Sequence, residues 1–373
     1  MGRLRVAFVA PSLRILGGQA VQADRLLNAW QNDPDVDAWL VPVDPLPPRP
    51  LRGASRVKYV RTAVNEIVYG RDLLRQLSRA DIVHVFSASY TSFLLGPLPA
   101  IVIARALGRP VLLNYRSGEA PDHLARSRIA RAAVARVDAN VVPSRFLVEV
   151  FNRFGIEASI IPNLVDPDRF VFHERRPLRP RLLSTRNFEA LYNVACTLRA
   201  FQIVQTRRPE ATLTLVGAGR EERRLRALAA ALGLRQVTFA GRVEPDDIAG
   251  YYHANDIYVQ TPRIDNMPTS VIEAFACGLP VVSTSVGGVP AILAHDVQGL
   301  LARDDNHRQI AAHVLRLLGD PSLAERLVHA AQASSRACTW PAVRALWLAA
   351  YRRVLRNSSS RQPSLAGIED DAA

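Results

Sequence analysis

Between residues 261 and 288 the chain reads TPRIDNMPTSVIEAFACGLPVVSTSVGG. A short apolar run over residues 257–260 leads into a polar loop, 263–268, and the loop leads into a helical pattern. Thr269 and Ser270 stand where that helix begins and are N-cap candidates, and Glu273 lies one turn further on. Asp265 and Glu273 are therefore eight residues apart, one in the loop and one on the first turns of the helix. Carboxylates accept hydrogen bonds from hydroxyls, whereas the free N–H groups and positive dipole of a helix start suit an anion. A ligand that carries sugar hydroxyls beside a phosphate needs both at once. Taken alone, the same spacing also describes an ordinary capped helix with a solvated glutamate.

Other strand-to-helix junctions carry related residues. In SLRILGGQ, residues 12–19, the pair Gly17-Gly18 opens a helix, where missing side chains let a backbone approach a phosphate or sugar, although two glycines also make a plain turn. VGAGREERRL holds Gly217 and Gly219, but Glu222 stands where a dinucleotide fingerprint needs its third glycine, so no nicotinamide cofactor is expected. Two D-x-D pieces, Asp35-Val36-Asp37 and Asp166-Pro167-Asp168, lie in a polar turn and a loop and not at the end of a buried strand. They imply no metal.

The elements that must position these residues are those of an α/β protein. At 373 residues the chain has a prior of about two domains, and 49% hydrophobic with 22% charged residues excludes a disordered or low-complexity class. Short β-type runs alternate with helical patterns in two series. The first has strands at 4–10, 38–43, 82–86, 111–115 and 139–142, with a helix over 19–31 whose Val21, Leu26, Leu27 and Trp30 share a face; the second has strands near 182, and at 212–216, 237–240, 257–260 and 281–284. Between them, FHERRPLRPR carries Pro177 and Pro180 among arginines and reads as a linker. The expected division is a first domain over 1–171, a linker over 172–181, a second domain over 182–340, a last helix over 341–356 and a disordered tail over 357–373.

Charge and cysteine content narrow the class further. Lysine and arginine number 47 against 34 acidic residues, a net +13, and Lys58 is the only lysine. A P-loop and a pyridoxal phosphate enzyme each need a lysine in a motif that Lys58 lacks. No helix-turn-helix, RRM, KH or zinc pattern accompanies the charge, so nucleic acid is not an expected partner. Cys196, Cys277 and Cys338 lie far apart, with neither disulfide nor thiolate-zinc spacing, and fit a reducing, cytoplasmic setting. The apolar start, residues 6–11, is too short for a signal sequence, and the run over 93–104 is cut by Pro97 and Pro99, so no membrane span is expected.

Read together, the motifs resemble those of the retaining glycosyltransferases of family 4. Asp265 and Glu273 match its E-x7-E region, followed by Gly278-Leu279-Pro280-Val281-Val282 and Gly287-Gly288-Val289-Pro290. Gly17-Gly18, Pro143-Ser144-Arg145-Phe146, Ile161-Pro162-Asn163-Leu164-Val165-Asp166 and the V-G-x-G turn at 216–219 come in the family's order. The resemblance implies a GT-B fold, two Rossmann-like doubly wound domains facing a central cleft, with the last helix crossing back to the first domain. It implies a nucleotide-diphosphate-sugar donor, no metal and no separate cofactor.

Position by position, the resemblance makes Glu273 the acceptor for ribose hydroxyls and Asp265 the residue that holds the transferred sugar, one methylene shorter than the usual Glu. Asn266, Met267, Pro268, Thr269 and Ser270 fall where the family offers backbone N–H groups to sugar and diphosphate, and Gly217 belongs to the neighbouring turn. Arg186 matches the basic residue that binds the diphosphate, and Leu191, Tyr192 and Asn193 stand where a lysine is common. Gly241, Arg242 and Val243 match the loop beside the base. Where many relatives have a His, this chain has Arg116, which can stabilise negative charge but cannot act as a base. His123 and Asp122 are candidates for proton traffic. A glycan, a lipid-linked molecule or a small molecule would be the acceptor, and the basic stretch PLPPRPLRGASRVKYVRTAVN, residues 45–65, is a candidate docking face for an anionic membrane surface at the cytoplasmic side. A nucleotide-sugar epimerase on the same fold, and an inactive homologue that only binds, are the competing readings.

Overall fold

The computed structural model describes residues 2–15, 17–46 and 58–359. Its strands are Leu4–Ala10 (β1), Val36–Pro42 (β2), Ile82–Ser87 (β3), Val111–Tyr115 (β4), Ala139–Val142 (β5) and Ser159–Ile160 (β6), then Arg181–Ser184 (β7), Thr212–Val216 (β8), Val237–Gly241 (β9), Ile257–Gln260 (β10), Val281–Thr284 (β11) and Leu300–Ala302 (β12). They form two six-stranded sheets, ordered β2-β1-β3-β4-β5-β6 and β12-β11-β10-β7-β8-β9. Every pairing within them is parallel. Helices cover both faces, which is why the central strands are mostly apolar without a polar face: all of Ile82–Ser87 and all of Val111–Tyr115 are buried.

In a doubly wound sheet the chain leaves in opposite directions at one point of the strand order, and a crevice opens there beyond the carboxyl ends of the strands. In the first sheet that point lies between β1 and β3, in the second between β7 and β10. The loops after these four strands carry Gly17, Ala88, Arg186 and Asp265 into one cavity.

The helix Trp340–Ser359 returns to the first sheet. Val343, Trp347 and Tyr351 share a core with Val6 and Phe8 of β1 and Phe86 of β3, Trp340 packs edge-on against Trp30 with ring centroids 4.6 Å apart, and Arg344 binds Asp33 at 2.7 Å and Asp35 at 2.6 Å. The helix continues through Ser359, past the expected end at 356; residues 360–373 lie outside the described residues.

The segment 172–181 is not a loose linker. The Arg175 side chain is 6% exposed and donates to the carbonyls of Asn255 at 2.8 Å, Cys277 at 2.7 Å and Tyr252 at 2.9 Å, which pins the connection to the second domain. Arginine has enough donors to satisfy a whole carbonyl cluster, so an arginine-rich segment can be a fixed strap as readily as a solvated one. Of the candidate membrane-docking stretch, residues 47–57 lie outside the described residues, and from Lys58 the chain is helical, Lys58–Leu77. Among the described residues no helix is long and apolar enough to cross a membrane.

Candidate active site

Arg186 sits in the loop after β7 and Asp265 in the loop after β10, and because these strands are neighbours the two side chains meet: Nη2 of Arg186 is 2.6 Å from Oδ2 of Asp265. The guanidinium also donates to Ser270 Oγ at 3.2 Å and lies over the Tyr192 ring, 4.0 Å from its centroid. Burial alone would lower the pKa of Arg186, but Asp265 and the surrounding tyrosines carry it above the ordinary arginine value. Tyr192 thus occupies the place where a lysine was expected, contributing a ring face and no charge.

Three glycines, Gly217, Gly287 and Gly288, let these loops pack closely. A Cβ on Gly287 would fall 2.0 Å from the Asp265 carbonyl oxygen and one on Gly288 2.2 Å from that of Asn266, while Gly288 N donates to Asp265 O at 3.0 Å. Gly287 also has a φ of +51°, so side chains are excluded there twice over. A Cβ on Gly217 would meet the Arg186 carbonyl oxygen at 2.5 Å. Gly217 therefore acts on the site by fitting the Arg186 loop closely.

The helix Thr269–Ala276 begins without a side-chain cap, with Pro268 at the N-cap position. Thr269 and Ser270 are inside the helix, so the capping role expected of them is not taken up. Their hydroxyls are held elsewhere: Thr269 Oγ1 accepts from Gln22 at 3.3 Å and Ser270 Oγ donates to Gln260 at 3.3 Å. The loop before the helix is gripped by the first domain, as Asn163 Nδ2 donates to Met267 O at 2.6 Å and Ser144 Oγ donates to Asn266 Oδ1. The motif residues Ser144 and Asn163 are thus the first domain's hold on the loop that carries Asp265.

Glu273 has both carboxylate oxygens engaged. Oε1 pairs with Arg25 of the first domain at 2.6 Å, and Oε2 accepts from the Tyr252 hydroxyl at 2.7 Å. Arg25 belongs to the helix Gly18–Ala29, whose Gln22, one turn earlier, bonds the backbone of Leu164 at 2.8 and 2.9 Å. Neither residue was expected. Two polar residues three apart, and so on one face of the helix beside Leu26, are the signal that points to them.

On the first-domain side, Gly17 and Gly18 have nothing within 4 Å of where a Cβ would be, and both line the cavity. Arg116 lines it too. Its Nε donates to Asn114 Oδ1 at 2.9 Å, its Nη1 donates to Asn163 Oδ1, and it sits over Phe86, 5.3 Å from the ring centroid. Burial pulls the Arg116 pKa down to about 9, which leaves it a cation at neutral pH. Behind it Asn114 meets His84 at 2.9 Å, and His84 meets the Tyr351 hydroxyl at 2.9 Å, so the chain of polar contacts reaches the C-terminal helix.

His123 does not reach the cavity. It is 1% exposed, its Nδ1 lies 2.7 Å from the Tyr115 hydroxyl, and burial lowers its pKa. It is a satisfied core histidine, and Asp122 faces Arg126 at 2.7 Å on the surface. Glu119, one turn earlier, lines the cavity in its place, and burial followed by Asp122 raises its pKa. None of the aspartates of the two D-x-D pieces lines the cavity. The three cysteines are buried free thiols, each pushed up to about 12 by burial.

The cavity between the two sheets measures about 890 Å³, and Arg116, Arg186, Gly217, Arg242, Val243 and the residues from Asp265 to Ser270, with Glu273, line it. Arg242 also reaches across to the Leu13 carbonyl at 3.3 Å. Two buried donors of this lining, Arg186 Nε and Asn266 Nδ2, have no protein partner. Cations, carboxylates and orphan donors at the switch points of two doubly wound sheets define a two-domain protein with a cleft suited to a polar, anionic ligand.

Comparison with known proteins gives that class a family. The chain belongs to the group 1, family 4 glycosyltransferases: the model "Glycosyltransferase Family 4" matches residues 16–169 and "Glycosyl transferases group 1" matches residues 168–334. An uncharacterized glycosyltransferase of Haemophilus influenzae is 31% identical over 144 residues, which is 38% of this chain and 38% of that protein's length. A glycogen synthase of Mycobacterium tuberculosis is 25% identical over 314 residues, 78% of this chain and 73% of its own length. The solved Anabaena protein Alr3699/HepE, in complex with UDP and glucose, superposes with a TM-score of 0.74 at 15% identity, covering 94% of this chain and 100% of that one. That likeness is one of fold, and the fold is GT-B.

Proposed function

We propose that this glycosyltransferase acts with retention, moving a sugar from a nucleotide-diphosphate donor held by the second domain to an acceptor held by the first. The observation that carries this reading is the Arg186–Asp265 pair at 2.6 Å with Arg186 Nε left unpartnered in the same cavity wall. Cleaving the anomeric C–O bond puts negative charge on the departing diphosphate and positive charge on the sugar. Arg186 and the uncapped start of the helix Thr269–Ala276 stabilise the first, as oxyanion donors do at about 2.7 to 4 kcal/mol each. Asp265 accepts from sugar hydroxyls, and Glu273 from the ribose. With Asp265 paired to Arg186 and Glu273 to Arg25, the acceptor attacks on the face the diphosphate leaves, and its proton departs with the phosphate oxygen. Arg116 stays protonated and contributes charge only.

The acceptor is a glycan, a lipid-linked molecule or a small molecule, in cell-envelope or glycoside synthesis, and the enzyme works at the cytoplasmic side of the membrane. A thermal-shift panel of UDP-, GDP-, ADP- and dTDP-sugars tests the donor, because a bound ligand raises stability by mass action. Product analysis with the best donor then tests the reaction: transfer with unchanged anomeric configuration supports it, and epimerised nucleotide-sugar without acceptor refutes it.

A further inference from the structure

Glu273 and Arg25 are 248 residues apart in sequence and belong to opposite domains, yet they form a 2.6 Å ion pair with side-chain exposures of 8% and 9%. Arg25 is itself fixed, by a bond from Nη1 to the Leu164 carbonyl at 3.2 Å and by the Phe170 ring at 5.1 Å. Tyr252 holds the other oxygen of the same carboxylate at 2.7 Å, and its hydroxyl lies 3.3 Å from Ser270 O. A carboxylate has about two acceptor sites on each oxygen. One site per oxygen is therefore taken, one per oxygen remains, and Glu273 and Arg25 both line the cavity.

We propose that Arg25 is a positioning residue: reaching across the cleft, it sets the Glu273 carboxylate so that its two remaining acceptor sites face a vicinal diol, and so makes this protein selective for ribonucleoside over 2′-deoxyribonucleoside diphosphates. The proposal rests on the donor site described above and adds to it a residue of the other domain. Two aligned acceptors are satisfied by two hydroxyls; a ligand lacking the 2′-hydroxyl leaves one charged acceptor unmet. Without Arg25 the carboxylate can turn about its last torsion and its aim is lost for both ligands.

The test measures the affinities of UDP, GDP and ADP and of their 2′-deoxy counterparts by calorimetry, on the full chain and on the variants Arg25→Met, Arg25→Gln and Arg25→Lys. The expected wild-type ratio is about tenfold or more in favour of the ribonucleotide. In Arg25→Met it falls to within about threefold, whereas Arg25→Lys, which keeps the charge, retains most of it; should the Met variant fail to fold, Arg25→Gln carries the same expectation. Arg344→Met, which removes an ion pair of the C-terminal helix outside the cavity, leaves the ratio unchanged. A ratio equal to wild type in Arg25→Met or Arg25→Gln, or equal weakening of both ligands with the ratio intact, overturns the proposal and assigns Arg25 a structural part only. A wild-type protein that binds no nucleoside diphosphate overturns the donor site itself, a result visible before any variant is made.

Discussion

Arg186 and Asp265, 79 residues apart in sequence, close a 2.6 Å ion pair across adjacent strands at the point where the second sheet reverses its winding. Their side chains are 10% and 14% exposed, so each charge depends on the other for compensation. The pair is a structural element and, in the function proposed above, a binding element at once.

These two parts separate in a double variant. Arg186→Ala strands the Asp265 carboxylate and is expected to cost about 3 to 5 kcal/mol of stability, whereas Arg186→Met with Asp265→Leu removes both charges and recovers most of it. Neither variant recovers nucleoside diphosphate affinity, because the diphosphate has lost a charge-assisted bond of about 1.5 to 3 kcal/mol. Glu273→Ala is expected to weaken binding as well. Thermal melts beside calorimetry read both quantities, and undiminished affinity in Arg186→Ala and Glu273→Ala would remove these residues from the site.

Catalysis should survive excess chelator. In the function proposed above, Arg186, Arg116 and the uncapped helix start take the part that a divalent ion takes in D-x-D enzymes. Initial rates with and without EDTA check this, and complete loss restored by added metal would contradict it.

Stability should fall as pH drops below about 6.5, the ordinary histidine value. Burial holds the His84 pKa well below that value and lowers the His123 pKa. The unfolded chain then takes up protons that the folded chain refuses, so folded stability is complete above the unfolded pKa and is lost as acid is added, at up to about 1.4 kcal/mol per pH unit for each imidazole. Melting temperatures between pH 7.5 and 5 show this slope in the wild type and a shallower one in His84→Gln. Parallel slopes would mean that His84 titrates alike in both states.

A basic stretch without acids, Arg49, Arg52, Arg56, Lys58 and Arg61, motivates salt-sensitive association with anionic membranes. At about 1 kcal/mol for each residue near an anionic surface, five give at most about 5 kcal/mol, enough for reversible attachment. Sedimentation with anionic liposomes at low salt should pellet the protein, with neutral liposomes or high salt leaving it in solution, and with the five changed to Gln abolishing the effect. Equal failure to pellet with both lipids would favour a soluble acceptor.

What the sequence alone determined was local or repetitive. Strands of a sheet covered on both faces are rich in apolar and β-branched residues, so β1, β4, β5, β8, β10 and β11 were legible to the residue. Edge strands as short as Ser159–Ile160 and Leu300–Ala302 carry too few residues to leave a pattern. The motif order pointed to the family, and the loop carrying Asp265 was legible because loop, helix start and glycines lie within one segment.

Tertiary structure alone decided which polar groups meet. His123 looked available and is buried against Tyr115; Thr269 and Ser270 looked like caps and are tied to Gln22 and Gln260; 172–181 read as a linker, and its Arg175 straps it to the second domain. Arg25 and Gln22 gave no sign of their partners, which lie 248 and 247 residues away. Periodicity and capping act over a few residues and are written in neighbouring letters, whereas desolvation and ion pairing depend on what folding brings alongside a charge. A single chain of letters does not state those distances; the winding of two sheets about one cleft sets them.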